Sequence, residues 1–307
     1  MTTVPSADLY PNSAGSEPAT STAPACACDA HLHIYDPRFA EVAGPALTAT
    51  PQRATTADYR RIQQRIGTAR AVVVQPRAYG TDNRVTLDAI AQLGADRTRG
   101  IAVVTPDIGD AELQALHAGG IRGVRLTLHA TTGAPTRFDM LLPLAERIAP
   151  LGWHVQLHFQ AAQIAGHAEV LRRLPCPAVF DHLGRLPPGE AGLRHPAFDL
   201  VRGLLQDGRA WLKLSGAYLN SAVGAPGYGD TVPVARAWVA AAPQRLVWGS
   251  DWPHATEELH KPDDARLFDL LAEWVPDARL RHDILVNNPA QLYGFAAADS
   301  TTTRRPR

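Results

Sequence analysis

Two segments of the chain alternate apolar and polar residues with the period of two that is typical of a β-strand. The segment GWHVQLHFQ (152–160) alternates Trp, Val, Leu and Phe with His, Gln, His and Gln, and GVRLTLH (123–129) alternates Val and Leu with Arg, Thr and His. Strands of an open doubly wound sheet are apolar on both faces, and these are not. The pattern favours a closed barrel whose outer face meets helices and whose inner face becomes polar near one end.

The same kind of strand recurs between residues 25 and 295, alternating with longer segments of helical pattern. Several of these helical segments end in Gly, as C-capped helices do. Eight such units in about 250 residues predict an α/β fold consisting of a single (β/α)8 TIM barrel. The predicted strands are 27–34, 69–76, 99–106, 121–129, 152–159, 177–184, 210–216 and 245–251.

The first strand belongs to the stretch CDAHLHIYD, residues 28–36. Alternation predicts that Asp29, His31 and His33 share one face and that the apolar residues between them take the other. Two imidazoles on one polar face are compatible with a metal site, with direct contact to a substrate, or with hydrogen bonding in a polar niche.

Barrel enzymes hold their active sites at the carboxyl ends of the strands. His31 and His33 stand there on the first strand, His158 on the fifth, His182 on the sixth and Asp251 on the eighth. Any one of them has an ordinary structural explanation, but four strand ends that deliver His or Asp together indicate a reaction centre. Asp181 is interpreted as a loop cap and left out of the chemistry.

The remaining composition restricts the partners. The 307 residues carry no formal net charge, so neither nucleic acid nor a membrane surface is an expected partner. Three cysteines in no metal-finger spacing indicate a reduced, cytoplasmic chain, and assembly of identical chains stays open. Residues 1–24 and 296–307 are expected to be disordered extensions of a barrel that spans 25–295.

The motifs DAHLHIYDPRF, GVRLTL, QLHF, FDHLGRLPP, KLSGAY and LVWGSDWPH occur in this order along the chain. Together they resemble the amidohydrolase superfamily, and within it the 2-pyrone-4,6-dicarboxylate lactonases and related sugar-lactone hydrolases. The resemblance implies hydrolysis of a small carboxylated lactone, with Asp251 activating water and His31, His33 and His182 polarising the carbonyl. The residues expected to contact the substrate are Arg125, Arg185, Tyr79, Arg77, Tyr218, His254 and His158.

The resemblance leaves the cofactor open between two arrangements. In the superfamily, residues at the positions of His31, His33, His158 and Asp251 can hold one divalent metal, and such a donor set suits Zn²⁺. The pyrone-dicarboxylate lactonases work without a metal, so no cofactor is the expectation that follows from the nearest group.

Three other functions stay open. One is a zinc-dependent decarboxylase of an aromatic or muconate-type acid, and another is a lactone isomerase, although such relatives have Asn where Asp251 stands. The third is a barrel that binds a small acid without catalysis. Leu219 follows KLSGAY where a further arginine would suit a dicarboxylate, so a substrate with one carboxylate or an aldonolactone is also compatible.

Overall fold

A computed structural model describes residues 9–42, 53–128 and 136–296. Eight parallel strands pair in chain order, each with the next. They are β1 Cys28–Leu32, β2 Arg70–Val74, β3 Thr98–Ala102, β4 Ile121–Thr127, β5 His154–His158, β6 Ala178–Phe180, β7 Ala210–Leu214 and β8 Leu246–Trp248.

The sheet closes between β1 and the segment that follows β8. The N–H of His33 donates to the carbonyl of Trp252 at 2.8 Å, and the N–H of Asp251 donates to the carbonyl of His31 at 2.8 Å. Closure removes both free edges of the sheet and confirms the predicted (β/α)8 barrel. It also holds the residue after β8 directly beside the two histidines of β1.

Helices surround the barrel and cover its outer face, where the apolar members of each alternating strand pack. No helix among the described residues combines the length and apolar character that crossing a membrane requires. The α-helices are Thr56–Ile66, Arg84–Leu93, Asp110–Ala118, Leu141–Ile148, Ala161–Gly166, Ala168–Arg173, Glu190–Leu193, Pro196–Gln206, Ala217–Asn220, Val232–Ala241, Asp264–Trp274, Ala278–His282 and Asn288–Tyr293. Short 3-10 turns lie at Arg77–Tyr79, Phe138–Met140, Ala149–Leu151, His182–Arg185, Gly229–Thr231 and Pro243–Arg245, and one π-turn at Asp283–Asn287.

The helix Thr56–Ile66 shows how sequence fixes these boundaries. Thr55 and Asp58 form a capping box at its start, which satisfies backbone N–H groups that have no partner within the helix. Gly67 ends it with φ of 78°, a left-handed conformation that glycine adopts without a steric penalty.

The predicted strict alternation along β1 is wrong at Asp29. The pairing of β1 with β2 shifts register between Asp29 and Leu32, and Ala30 joins an apolar cluster inside the barrel. The Asp29 carboxylate accepts hydrogen bonds from the Tyr59 hydroxyl at 3.0 Å and the Ser250 hydroxyl at 2.6 Å. Asp29 therefore ties β1 to an outer helix and to the loop after β8 instead of facing the cavity.

Residues 9–24, which the composition predicts to be part of a disordered extension, contact the barrel helices. The buried Arg65 guanidinium donates to the carbonyl of Ala14 at 2.8 Å, and the Asp269 carboxylate accepts the N–H groups of residues 20 and 21 at 3.0 and 2.7 Å. This segment is bound to the barrel helices mainly through its backbone. Residues 1–8 and 297–307 lie outside the described part of the chain.

Candidate active site

A cavity of about 430 Å³ opens at the carboxyl ends of the strands, where the sequence predicts the site. Its wall combines apolar side chains with converging charged and imidazole groups. Eight of the predicted site residues line it: His33, Arg77, Arg125, His158, His182, Arg185, Tyr218 and Asp251. His31 lies directly beneath, fully buried, in contact with His33 and Asp251.

Asp251 lies at the centre of the imidazole group. Its Oδ1 is 3.4 Å from Nε2 of His31 and 3.5 Å from Nε2 of His33, while Oδ2 is 3.8 Å from Nε2 of His182. Oδ2 also accepts a short hydrogen bond of 2.6 Å from the hydroxyl of Tyr218. The carboxylate thus contacts all three imidazoles that the sequence analysis expects to polarise a substrate carbonyl.

These surroundings keep Asp251 ionised. Burial by itself raises the pKa of Asp251, but the neighbouring imidazoles of His182, His33 and His31 outweigh it and hold the pKa well below its usual value. Burial in turn lowers the pKa of His182 to about 4. At neutral pH the site therefore contains an ionised carboxylate, able to accept a proton, beside a neutral His182 imidazole.

The backbone around this group is locally strained. His182 and Asp251 follow β6 and β8 with φ of 51° and 64°, in the left-handed region that residues other than glycine adopt rarely. Gly216, at φ +62°, lies so close to His182 that a Cβ there would be 2.8 Å from Nδ1 of the ring. The glycine of KLSGAY is thus required by the position of the imidazole, whose Nδ1 is 3.0 Å from the Ser215 hydroxyl.

The three arginines that line the cavity differ in their hydrogen-bond and ion-pair partners. Nη2 of Arg125 is 3.3 Å from the Asp181 carboxylate and 3.2 Å from Nδ1 of His158. Arg185 donates to the carbonyl of Leu219 at 3.0 Å. The pKa of Arg77 is lowered by burial and by the positive charge of Arg125, and both side chains line the cavity.

A buried charged layer beneath the cavity contains residues that the sequence reasoning did not assign. Asp181, interpreted from the sequence as a loop cap, is 3.4 Å from Nδ1 of His31 and accepts from Nε2 of Gln156 at 3.2 Å. Lys213 is fully buried, and burial lowers its pKa to about 8. Trp211 and Lys213 are two residues apart in AWLKLSG and so share one face of the strand. This spacing is the sequence feature that indicates an inward-facing lysine.

Two predicted substrate contacts lie outside the cavity wall. The Tyr79 hydroxyl bonds to the backbone of Asp36, 2.9 Å from its N–H, and is buried there. His254 is fully buried and pairs with the Asp264 carboxylate at 3.1 Å. Both residues support loops at the rim of the site and have no face toward the cavity.

Donor atoms of His31, His33 and Asp251 form a group that a metal ion fits. The two Nε2 atoms and Oδ1 are separated by 3.3, 3.4 and 3.5 Å. A tetrahedral Zn²⁺ with bonds of about 2.0–2.1 Å holds its ligand atoms about 3.3–3.4 Å apart, so the triangle matches one face of such a site. His158, the fourth predicted ligand, does not belong to this group.

The pattern of the amidohydrolase family matches residues 28–295. This chain belongs to the amidohydrolase family. It is 37% identical to 2-pyrone-4,6-dicarboxylate hydrolase of Comamonas testosteroni over 88% of this chain and 90% of that one. It is 35% identical to 4-sulfomuconolactone hydrolase of Rhizobium radiobacter over 92% and 94% of the two chains.

An apo crystal structure from Agrobacterium tumefaciens has the same architecture. Its TM-score is 0.84 at 29% identity, covering 94% of this chain and 99% of that one. The predicted superfamily and the predicted hydrolase class are both confirmed, because the similarity to lactone hydrolases extends over nearly the whole barrel.

Proposed function

We propose that this amidohydrolase opens the ring of a small carboxylated lactone and that Asp251 is the general base. The observation that carries the proposal is the position of Asp251: its ionised carboxylate touches three imidazoles on the floor of a cavity that also presents arginines. Similarity to two lactone hydrolases supports the same reaction.

The reaction follows from these positions. Asp251 takes a proton from a water molecule as the water oxygen bonds to the lactone carbonyl carbon. His31 and His182 lie beside the position of the carbonyl oxygen and stabilise the negative charge that develops on it, while His33 contacts His31 with 3.3 Å between the two Nε2 atoms. The ring C–O bond then breaks, and the leaving oxygen takes the proton from Asp251. The product is a hydroxy acid, whose new carboxyl group ionises and releases one proton to solvent.

The arginines select the substrate. A guanidinium binds a carboxylate through two parallel N–H bonds, and Arg77 and Arg125 both line the cavity, where their like charges oppose each other. An anionic group bound in the cavity offsets that repulsion. Leu219 and Ala255 contribute an apolar wall to the same cavity. We therefore propose a lactone with one carboxylate held by this pair and an apolar remainder.

We further propose that the reaction needs no metal ion. The triangle of His31, His33 and Asp251 would hold Zn²⁺, which supplies Lewis-acid activation of water or of a carbonyl when bound. Nδ1 of His31 lies 3.3 Å from the ammonium group of Lys213 and 3.4 Å from the Asp181 carboxylate. Histidines that ligate metals normally donate this second nitrogen to an acceptor such as the carboxylate, and the ammonium group, which accepts nothing, competes for it.

The test is proton release, followed with a pH indicator. The substrates are 2-pyrone-4,6-dicarboxylate, muconolactones with one carboxylate, and uncharged sugar lactones, each with and without a chelator. We expect release that resists the chelator and is fastest with a monocarboxylate. Absence of release from every lactone, with carbon dioxide evolved from an aromatic acid, would replace this proposal with decarboxylation.

A further inference from the structure

Four polar atoms surround the ammonium group of Lys213 beneath the cavity. Nζ donates to the carbonyl of Ala30 at 2.8 Å and to Oε1 of Gln156 at 2.8 Å, and it lies 3.3 Å from Nδ1 of His31 and 3.7 Å from Oδ1 of Asp181. An ammonium group has three protons and no lone pair. With two protons given to the nearer oxygens, Nδ1 of His31 is the nearest acceptor for the third.

The proton of His33, the ring next to His31, is restricted by the backbone. Nδ1 of His33 is 2.8 Å from the carbonyl oxygen of Val74, which can only accept a hydrogen bond. The His33 proton is therefore on Nδ1, and in the neutral ring Nε2 has a lone pair.

The two rings meet through their remaining nitrogens. Nε2 of His31 is 3.3 Å from Nε2 of His33, within hydrogen-bond distance. Because Nε2 of His33 accepts, Nε2 of His31 must carry the proton. Lys213, His31, His33 and Val74 thus form one row in which every hydrogen bond points in the same direction, fixed at one end by a pure donor and at the other by a pure acceptor.

A hydrogen bond from His31 to Asp181 would require the other tautomer of His31, with its proton on Nδ1. Oδ1 of Asp181 is 3.4 Å from Nδ1 of His31 and could accept a proton from it. Two lone pairs would then face each other 3.3 Å apart at the Nε2 atoms, an arrangement that needs a cation between them. Nε2 of His31, by contrast, faces two acceptors, Nε2 of His33 at 3.3 Å and Oδ1 of Asp251 at 3.4 Å, and a proton on Nε2 serves both. The geometry favours the lysine.

We propose that Lys213 is a positioning residue that fixes His31 as the tautomer with its proton on Nε2. In this state the Nε2–H group of His31 points toward the space between His33 and Asp251. There it donates a hydrogen bond to the carbonyl oxygen of a bound lactone, a role that rests on the function proposed above. The same proton occupies the nitrogen that a metal ion would need, so Lys213 also weakens the zinc site.

The tautomer is measured directly by nitrogen-15 NMR of histidine-labelled, metal-stripped protein without substrate. The His31 signals are those lost in His31→Gln. In the wild-type protein we expect the proton on Nε2, and finding it on Nδ1 overturns the proposal even if every variant misfolds. No lactone is added, so this result is independent of whether the protein opens lactones.

Variants then test the cause. In Lys213→Met, Nδ1 of His31 keeps only the Asp181 carboxylate as a polar neighbour, so we expect zinc measured by equilibrium dialysis to bind at least tenfold more tightly than to the wild type, with the His31 proton on Nδ1 in the zinc-loaded variant. Gln156→Met is the matched control, since it removes another polar contact of Lys213 and leaves the ammonium group beside His31. Equal zinc binding in both variants, or a His31 proton that stays on Nε2 in folded, zinc-loaded Lys213→Met, contradicts the proposal.

Discussion

Replacing Asp251 by Asn removes the proposed base and keeps nearly the same shape. The amide oxygen still accepts the Tyr218 hydroxyl, which is 2.6 Å from Oδ2, so we expect the fold to survive. An amide takes no proton from water, and general base catalysis contributes about 10²–10⁴-fold. We therefore expect kcat to fall by that factor, which corresponds to about 3–5 kcal/mol of transition-state stabilisation.

The assay is proton release with the best lactone of the panel, combined with circular dichroism of the variant. KM should stay equal or decrease, because the substitution removes a negative charge beside an anionic substrate. Asp139→Asn is the control, since Asp139 is an exposed carboxylate paired with Arg137. A folded Asp251→Asn protein whose kcat stays within threefold of wild type refutes the assignment of Asp251 as base.

Three further outcomes follow from the same geometry. Arg125→Met should raise KM for a carboxylated lactone about tenfold or more, since a charge-assisted hydrogen bond contributes about 1.5–3 kcal/mol. KM for an uncharged lactone of the same ring should not change. Equal effects on both substrates would remove the role of Arg125 in binding the carboxylate. Gly216→Ala should lower the free energy of unfolding in urea by about 1–3 kcal/mol, because its Cβ meets the His182 ring, whereas Gly227→Ala meets nothing within 4 Å and should be neutral. The pKa of His182 is lowered from 6.5 to about 4 in the fold, so the unfolded chain binds this proton first and stability should fall as pH drops from 6.5 to 4. The fall should be shallower in His182→Gln, and equal slopes in urea titrations would contradict this.

The barrel could be predicted because alternation is a local property. In β5, His154, Gln156 and His158 turn inward while Val155 and Leu157 pack against helices, as the period of two requires. Strand ends then located the histidines and Asp251, since parallel strands in a barrel finish at one rim. These steps need neither distances nor register.

What the sequence could not show depends on register and on long-range partners. The bulge that turns Asp29 away from the cavity follows from pairing with β2, which single-strand alternation does not contain. Asp181 resembles a loop cap until β4 and β7 bring Arg125 and Lys213 to 3.3 and 3.7 Å. The pairing of these charges explains why they are buried.

Residues 9–24 make contacts that composition does not reveal. Their Ala, Ser, Thr and Pro composition resembles a disordered segment, and they are held largely through backbone groups that leave no side-chain pattern. The carbonyl of Pro11 accepts the indole N–H of Trp252 at 2.9 Å, next to Asp251. The partner that orders this segment stands some 240 residues away in the sequence.

The central claim is hydrolysis by water without a metal ion, and one measurement tests both parts. Metal-stripped protein, with its zinc content determined, is allowed to turn over its best lactone in water enriched in oxygen-18. We predict full activity and a hydroxy acid carrying one heavy oxygen in its new carboxyl group. Turnover that returns only with added zinc would contradict the metal-free reaction, and an unlabelled lactone product would show isomerisation in place of hydrolysis.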